Sequence, residues 1–564
     1  MSDRLVGGFL ILVPITVFWY VWAHYAVNVP KWDDHALKVF LINLDAESSV
    51  WRKIHLFFSQ HNEHRIVYDR LVTWLDFNLA GKLNYRHLMV IGNLSLLGLL
   101  VIFERVLGRS VVTQVGPQSI GTLANGLPYL PPVAFLLLNL SHWENMFWGM
   151  AALQNFTVTL WVIWGIYSLA FSPSIGPALL LAAAATLTSG NGLFIWPVGF
   201  ALLLSQLWLR TRVGYKPLLI WTVGALVAIG LYFLNYEKPA GNPPVRGSFS
   251  DLLQGWLAFN GAAAEAFPLR IPFTLCVLLG GVVTVIALIV GLFILRKALT
   301  RRLLSSFDYF FVATTVFLLG TAATVAWSRV GFGINTLITS RYKLYSLLLL
   351  TLVYSYAVVQ VRPSYQKWVF YSGLIFSIVL MASSYRTYLD ETIGFRQWLL
   401  TKQFNWTYTT NQPVSALDSQ TARLTDNSPA FYDSILPHLY QPAAGSSAPF
   451  TAIQKTQDSF VFSDTTVGTP AGPDAGTYVL ARSAKRVYLF PTLPTLTSSW
   501  RASVGLQPLF RKGFSGSIPE AELEPGLYQI DRLTIHPNGT VDQRPTRQTI
   551  TATAQVHQDI PKNW

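Results

Sequence analysis

The sequence predicts a mainly α-helical, polytopic membrane protein with about 11 transmembrane helices and a small β-rich C-terminal domain. Of its 564 residues, 52% are hydrophobic and only 12% are charged, whereas an ordinary soluble domain carries about 25% charged residues. The apolar residues also fall into runs of the length that a bilayer crossing requires, about 20 residues. This composition excludes a disordered protein, a coiled coil and a simple cytosolic enzyme.

Residues 1–384 are predicted to form the transmembrane domain. The first apolar run is too long for the core of a signal peptide and lacks a clean small-residue cleavage site, so we interpret it as a helix. The third and fifth runs are short for a span. The candidate spans are residues 6–27, 87–104, 128–141, 150–171, 175–188, 192–209, 217–235, 271–295, 307–327, 342–361 and 368–384.

The charges between the spans predict the orientation, because cytoplasmic loops carry an excess of Lys and Arg. With the N-terminus in the cytoplasm, Glu104 is the only acid among the charged residues of the predicted cytoplasmic loops. The basic residues of these loops are Arg105, Arg109, Arg210, Arg212, Lys216, Arg296, Lys297, Arg301, Arg302, Arg362 and Lys367. They explain the net charge of +13 without a nucleic-acid partner.

The segment 385–564 differs in composition and is predicted to lie outside the cytoplasm, because the number of spans is odd. It is rich in Thr, Ser, Pro, Asp and Gln, and it contains no run of membrane length. We predict a helical start at 387–402 and then a β-rich domain. Its predicted strands, separated by turn residues, are Ser459–Phe462, Thr477–Arg482, Arg486–Phe490, Leu527–Ile535 and Thr549–Val556.

Cysteine usage bears on the cellular location. The single cysteine, Cys276, lies in an apolar run, so no disulfide can form within the chain. The outer domain has no thiol to oxidise, which favours the inner membrane of a bacterium. We therefore expect an integral membrane protein with a cytoplasmic N-terminus and an extracytoplasmic C-terminal domain.

The first outer loop, residues 28–86, opens with the acidic pair Asp33-Asp34. Two carboxylates at a membrane edge are unfavourable unless they are hydrated, paired or bound to a metal ion. One interpretation is therefore an active-site acid. The other is a helix N-cap, since aspartate is a good capping residue.

A second polar cluster in this loop spans residues 60–65, with the sequence Gln-His-Asn-Glu-His-Arg. It follows an apolar and aromatic stretch at 51–58 that is typical of an interfacial helix. At helical spacing His61 and Arg65 share a face, with His64 beside them. Three interpretations are open: a structural polar network, a zinc protease whose spacing does not match the known motifs, and an active site that includes Glu63.

Further candidates lie in other predicted outer loops. His142 and Glu144 follow the third span, where they complete an active-site rim or are merely solvated. Arg329, Arg341 and Lys343 are cations on a side where the positive-inside bias does not expect them. Arginine binds phosphate through paired hydrogen bonds. A lipid phosphate is therefore one partner for these cations; lipid headgroups in general, or the acids of the first loop, are the alternative.

The layout resembles the GT-C superfamily of membrane glycosyltransferases, which use polyprenyl-phosphate-linked sugars. The resemblance covers residues 1–384 as topology and the early acidic pair as a motif. The chain departs from the best-known members because it lacks the Trp-Trp-Asp signature of oligosaccharyltransferases. Its 60–65 string is also not a general hallmark of the superfamily. Neither the sugar nor the acceptor can therefore be inherited by analogy.

The resemblance implies an inverting transfer of a sugar from a polyprenyl-phosphate donor to a lipid or polymer acceptor on the outer face. A loop carboxylate serves as base or as ligand for a divalent metal ion, Mg or Mn. The implied catalytic residues are Asp34, Asp33 and Glu63, with Asp34 and Glu63 as the metal ligands. The implied substrate-binding residues are His61, His64, Arg65, His142, Glu144, Arg329, Arg341, Tyr342 and Lys343. The alternatives are a transporter or flippase of a lipid-linked glycan and a non-catalytic glycan assembly protein.

Overall fold

The computed structural model describes residues 2–115, 126–211, 214–239, 247–269, 271–470, 472–497, 507–508 and 510–553. Arg212, one of the predicted cytoplasmic cations, lies outside these residues, as does the end of the last predicted strand. The chain divides into two compact units. Unit 1 comprises Met1–Val21, Ala46–Thr73 and His87–Thr387, and unit 2 comprises Trp22–Asp45, Trp74–Arg86 and Tyr388–Trp564.

The helices are concentrated in the first 407 residues. They are α1 (Ser2–Tyr25), α2 (Asp34–Ala46), α3 (Val50–Phe58), α4 (Val67–Ala80), α5 (Tyr85–Val115), α6 (Pro131–Leu137), α7 (Trp143–Met146), α8 (Gly149–Ala151), α9 (Thr157–Phe171), α10 (Gly176–Thr186), α11 (Ile195–Trp208), α12 (Lys216–Phe233), α13 (Phe249–Asn260), α14 (Pro272–Leu299), α15 (Ser306–Arg329), α16 (Lys343–Gln360), α17 (Pro363–Thr407), α18 (Ser419–Leu424) and α19 (Leu436–Leu439).

Nine helices in the described part of the chain are long and apolar enough to cross a membrane. They are Leu5–Tyr25, Tyr85–Ser110, Gly149–Phe171, Gly190–Trp208, Lys216–Phe233, Pro272–Leu299, Ser306–Phe332, Ser340–Gln360 and Pro363–Thr407. Each overlaps one predicted span. The apolar runs of the sequence therefore form helices of membrane length. The predicted spans 128–141 and 175–188 are not among the nine, because the helices within them, α6 and α10, have only 7 and 11 residues.

Close packing in unit 1 depends locally on small residues. The helices α13 and α14 approach each other at Gly261 and Gly280. A Cβ atom at Gly280 would lie 1.8 Å from the carbonyl oxygen of Leu257, so no larger residue fits without moving the backbone. The buried Cys276 lies in an apolar cluster with Ala258 and Ala262 at this contact, so the lone thiol is a packing residue.

One end of unit 1 is marked by Asp308, at the start of α15. Ser305 caps this helix, because its hydroxyl accepts the Asp308 N–H while the Asp308 carboxylate accepts the Ser305 N–H. Lys297 Nζ lies 3.6 Å from Asp308 Oδ1. The neighbouring Tyr309 hydroxyl bonds the Thr211 hydroxyl at 3.0 Å. We call this the Asp308 end of unit 1. The other end of α15 is at Arg329, which contacts Glu63, and we call it the Glu63 end.

Unit 2 joins pieces of the predicted first outer loop to the C-terminal region. The Asn28 side chain donates to the carbonyl of Asp426 at 3.0 Å and accepts the Tyr85 N–H at 2.8 Å. The Leu83 N–H donates to the carbonyl of Leu424 at 2.8 Å. The beginning and the end of the loop thus pack with residues that follow some 340 to 400 positions later.

The C-terminal region contains two four-stranded antiparallel sheets, so the predicted β-rich region is present. The strands are β1 (Ala452–Lys455), β2 (Ser459–Asp464), β3 (Gly476–Arg482), β4 (Val487–Pro491), β5 (Leu493–Leu496), β6 (Phe510–Pro519), β7 (Gly526–Ile535) and β8 (Val541–Ala552). Their orders are β1-β2-β6-β5 and β4-β3-β7-β8. One apolar cluster includes Phe462 of the first sheet and Ile530 of the second, so the sheets share a core.

The helix α17 is continuous over 45 residues. It includes the predicted last span, 368–384, and the predicted helical start, 387–402, as one element. The two units divide within it, at Thr387 and Tyr388, three residues beyond the predicted domain boundary. At 1.5 Å per residue it is about 67 Å long, roughly twice the thickness of a bilayer core.

Candidate functional site

The segment 60–65 forms a tight turn, so the expected helical spacing is wrong here. The N–H groups of His61 and His64 each donate to the other residue's carbonyl, both at 2.8 Å. Asn62 has φ 48°, a left-handed conformation that asparagine tolerates better than most residues. Helix α4 begins only at Val67. The turn therefore presents Glu63 at its tip, next to the paired histidines.

The Glu63 carboxylate lies between a cation and an imidazole. Arg329 Nη2 is 2.5 Å from Glu63 Oε1, and His64 Nε2 is 3.9 Å from the same oxygen. The Tyr232 hydroxyl donates to the Glu63 carbonyl at 2.9 Å, which holds the turn in place. The Glu63 and Arg329 side chains are 28% and 31% exposed, so a ligand can reach them.

The backbone fixes the tautomer of His64. The Gly190 N–H donates to His64 Nδ1 at 3.1 Å, so neutral His64 carries its proton on Nε2, facing Glu63. A Cβ atom at Gly190 would lie 3.0 Å from both His64 Nδ1 and the Tyr232 hydroxyl. Glycine thus allows the backbone approach that this hydrogen bond requires.

Arg65 and His61 occupy the sides of the turn. The Arg65 guanidinium donates to the carbonyls of Tyr232 at 2.7 Å, Phe58 at 2.6 Å and Leu234. These bonds use three of its five donors, so Arg65 ties the turn to the end of α12. His61 is partly exposed, with Nε2 3.4 Å from the Asn62 amide nitrogen.

A second acid–cation pair brings together two predicted site residues that lie far apart in sequence. Arg341 Nε is 3.5 Å from Glu144 Oε2. The Asn145 amide donates to the Arg341 carbonyl, and the Glu144 N–H donates to the Ser340 hydroxyl, both at 3.0 Å. The Arg341 guanidinium also lies 5.8 Å from the ring centre of Trp148. Residues 140–146 and 340–343 therefore belong to the same end of unit 1.

A third pair joins the predicted Lys343 to Glu265, which the sequence interpretation missed. Lys343 is almost fully buried, at 1% exposure, and its ammonium contacts the Glu265 carboxylate. Glu265 lies in the predicted outer loop 236–270, and an acid in an alanine-rich stretch of an outer loop was the available signal. The predicted Tyr342 places its ring 5.3 Å from that of Phe259.

Hydrogen bonds link the surroundings of the first two pairs into one polar network. The Asn191 amide donates to the Tyr345 hydroxyl, which also bonds the Thr159 side chain. The Thr159 hydroxyl donates to the Asn155 carbonyl at 2.8 Å, and the Asn155 amide donates to Asn145 Oδ1 at 2.9 Å. The path therefore leads from Asn191, next to the Gly190 that contacts His64, to Asn145, next to Glu144.

The backbone at this network is irregular. Residues Ala152–Phe156 form a π-helical turn between α8 and α9, and such turns occur frequently at functional sites. Asn155 lies in this turn. The irregularity gives it one amide bond to Asn145 and one carbonyl bond to Thr159, across two elements.

His142 is completely buried beside this network. Burial, and then the charge of Lys343, lowers the pKa of His142 to about 3, so its ring is neutral at ordinary pH. The rings of Phe18 and Phe156 lie 6.4 Å and 5.1 Å away. The structure thus packs this predicted substrate-binding residue among aromatic side chains.

Asp33 and Asp34 belong to unit 2 and differ in their surroundings. Asp34 is fully buried, and its Oδ2 accepts the Lys31 N–H at 3.0 Å, at the start of α2. The donor of this contact precedes the helix and is not an N–H of its first turn, so the contact is not the predicted N-cap. Asp33 is partly exposed. Next to the pair, burial and then the charge of Lys38 lower the pKa of His35 to about 4.

The predicted metal ligands, Asp34 and Glu63, belong to different units. Among the described residues, no group of three or more His, Cys, Asp and Glu side chains is placed to hold a metal ion. Glu63 instead has a cation as its nearest charged partner. The divalent metal ion stays a prediction.

No protein-family model, curated protein or solved structure matches the chain. The resemblance to the GT-C superfamily therefore stays a prediction from the sequence.

Proposed function

We propose that the chain is an integral membrane glycosyltransferase of the GT-C type that uses a polyprenyl-phosphate-linked sugar at the Glu63 end of unit 1. One observation carries the proposal. Three acid–cation pairs, Glu63–Arg329, Glu144–Arg341 and Glu265–Lys343, lie at one end of an apolar helical unit, and a hydrogen-bonded path connects the surroundings of the first two. A phosphate on a lipid chain requires this combination of cations and adjoining apolar helices.

The short apolar segment at residues 126–141 contacts both ends of unit 1, and this supports a membrane crossing by that segment. The Gly126 N–H donates to Glu104 Oε1 at 3.2 Å, on the cytoplasmic side of the predicted second span. At the other end of the segment, the Ser141 carbonyl accepts the Ser340 hydroxyl at 3.0 Å. The contacts therefore favour a passage across the membrane at residues 126–141.

The second short segment supports a further crossing. The Phe171 ring lies 6.3 Å from that of Phe310, which is two residues beyond Asp308. The Leu187 carbonyl accepts the Tyr68 N–H at 3.0 Å, close to the Glu63 turn. Together with the nine long helices, these passages give eleven crossings, with the cytoplasm at the Asp308 end.

The pairs suggest how such a site would work. An incoming phosphate competes with Glu63 for Arg329, because guanidinium binds phosphate oxygens through two hydrogen bonds. In the transfer, the acceptor hydroxyl oxygen bonds to the anomeric carbon while the bond from that carbon to the phosphate oxygen breaks. The hydroxyl proton passes to a carboxylate, and the cations stabilise the departing polyprenyl phosphate.

Two carboxylates compete for the role of base. The resemblance assigns it to the early acidic pair, and exposure favours Asp33 over the buried Asp34. The network offers Glu63, whose carboxylate contacts Arg329, with His64 Nε2 3.9 Å away. Separate substitutions at Asp33 and Glu63 decide between them.

The test is a transfer assay with the purified full-length chain in liposomes that also contain extracted membrane lipids and envelope glycans as acceptors. The probes are radiolabelled polyprenyl-phosphate hexoses and pentoses, and the readout is the loss of label from the donor. Arg329→Gln should reduce donor consumption by about 10²-fold or more, the effect of removing one transition-state donor. Lys297→Gln at the Asp308 end is the matched control and should retain activity.

Two outcomes would contradict the proposal. If the wild-type chain consumes none of the donors, it is not a transferase of this class. If Arg329→Gln and Lys297→Gln consume the donor equally well, the reaction does not depend on the Glu63 end. Transbilayer movement of the intact donor without consumption would instead favour the transporter or flippase.

A further inference from the structure

We infer that unit 2 carries a binding face for a neutral oligosaccharide, along the second half of α17 and the adjoining Trp32. The inference concerns binding alone and does not depend on the proposed transfer reaction. The α17 residues of this face follow each other at spacings of three, four and four positions, which places them on one side of the helix. They are Phe395, Trp398, Lys402 and Trp406. At 1.5 Å per residue the row is about 16 Å long.

Aromatic rings occupy both ends of the row, with Phe395 buried and Trp406 exposed. Phe395 and Trp398 stack with ring centres 6.0 Å apart and planes at 16°. Lys31 Nζ lies 4.8 Å from the ring centre of Phe395 and 4.4 Å from that of Trp32, which joins Trp32 to the row. At the other end, the His35 ring lies edge-on to Trp406 at 5.2 Å.

Trp32 adopts an unusual backbone conformation for a bulky residue. Its φ is 41°, in the left-handed region, and its side chain is 51% exposed. Strained residues of this kind cluster at ligand-contacting positions, because the surrounding structure must hold them there. The strain here presents a large ring to solvent, next to the acidic residue Asp33 in the chain.

The position of Trp406 argues against a membrane anchor. Tryptophan is common at membrane surfaces, and Trp406 is 41% exposed. However, α17 begins at Pro363, and a span uses about 20 of its residues. Trp406 therefore comes more than 20 residues after the end of a span that starts at Pro363. An interfacial belt does not account for a tryptophan at that distance.

The charges beside the face favour a neutral ligand. Lys402 lies 5.5 Å from the Trp398 ring and is paired with Glu522. The Lys31 ammonium sits against two aromatic rings, with Asp33 and Asp34 close by in sequence. A lipid phosphate or a nucleic acid requires uncompensated cations. Aromatic faces with adjoining carboxylates instead suit a sugar, whose rings offer apolar C–H faces and hydroxyl donors.

The first experiment is hydroxyl-radical footprinting of the full-length chain in zwitterionic nanodiscs. The probes are neutral linear oligosaccharides of hexose or N-acetylhexosamine, and mass spectrometry reads the oxidation of each tryptophan. At least one probe should protect Trp32 and Trp406 together. Trp368, which is 71% exposed on the first half of α17, is the control and should be unaffected. If no probe protects Trp406, the inference is wrong.

The second experiment measures affinity for the protecting probe. Trp406→Ala should weaken binding by about tenfold or more, as expected for an aromatic anchor. Trp406→Phe, which keeps a ring, should lose less, and Trp368→Ala should bind like wild type. Equal affinity for Trp406→Ala and wild type would overturn the inference. So would protection of Trp406 by anionic lipid in the nanodisc and not by sugar.

The two proposals can fail separately. If the transfer assay finds no consumed donor while oligosaccharide still protects Trp32 and Trp406, the proposed function fails and the binding face stands. If donor is consumed but no oligosaccharide protects the tryptophans, the binding face fails and the proposed function stands.

Discussion

Arg329 Nη2 lies 2.5 Å from Glu63 Oε1, although 266 positions separate the two residues. One is the last residue of a long apolar helix, and the other is the tip of a tight turn in the predicted first outer loop. Both side chains are about 30% exposed. At that exposure, solvent screens the pair, so its contribution to stability is small, about 0–1 kcal/mol. Ligand binding is the alternative role that we propose for this pair.

The first prediction separates these two roles. Glu63→Gln and Arg329→Gln should each change the melting temperature of the detergent-solubilised chain by no more than the control Lys297→Gln. They should nevertheless lower donor consumption strongly. The measurements are thermal unfolding and the transfer assay on the same preparations. A large loss of melting temperature together with the loss of activity would show that the pair is structural.

The second prediction concerns the contact that fixes His64. Gly190→Ala places a methyl group 3.0 Å from His64 Nδ1 and from the Tyr232 hydroxyl, so one of them must move by a few tenths of an ångström. We expect activity to fall because the imidazole no longer directs its Nε2 proton at Glu63. Gly281→Ala is the control, because nothing lies within 4 Å of a Cβ atom there. Equal activity of the two variants would contradict the role of His64.

The third prediction distinguishes the two acids of the early pair. Asp34→Ala should destabilise unit 2 by about 1–3 kcal/mol, because the buried Lys31 N–H loses its acceptor. Asp33→Asn should leave the melting temperature unchanged, since Asp33 is partly exposed. If Asp33 is the base, donor consumption falls in Asp33→Asn without any loss of folded protein. Unfolding curves for both variants, next to the assay, separate these effects.

The sequence predicts local features well and tertiary pairings poorly. The nine long apolar helices of the described part of the chain and five of the strands follow from runs and alternation that any short window contains. The turn at 61–64 was missed because its hydrogen bonds are backbone bonds that helical spacing cannot anticipate. The partner of Lys343, Glu265, was missed because an acid in an alanine-rich stretch marks a polar position but does not name its partner.

The cations of the predicted outer loops also show that tertiary partners cannot be predicted from the sequence. Their position against the positive-inside bias was visible in the sequence, and pairing with an acid of the first loop was one of two open interpretations. Only the fold could assign Arg329 to Glu63 and Arg341 to Glu144. Likewise, the early acidic pair fitted both a cap and an active site, and burial distinguishes Asp34 from Asp33.

The last prediction is a pH dependence that originates in His142. Its pKa is lowered from 6.5 to about 3 by burial and by Lys343. In the unfolded chain His142 takes up a proton below about pH 6.5, whereas the folded chain keeps it neutral down to about pH 3. The unfolded state therefore gains protons first, and the folded state loses stability as the pH falls from 6.5 towards 3.

His142→Phe should remove this loss while filling the same aromatic site between Phe18 and Phe156. We expect the variant to melt at a higher temperature than wild type at pH 5, with a gap that narrows at pH 7.5. His438→Phe, at an exposed position in unit 2, is the control and should show no such change in the gap. Melting curves at several pH values measure it. A gap that is the same at pH 5 and pH 7.5 would mean that His142 is not held neutral by its surroundings.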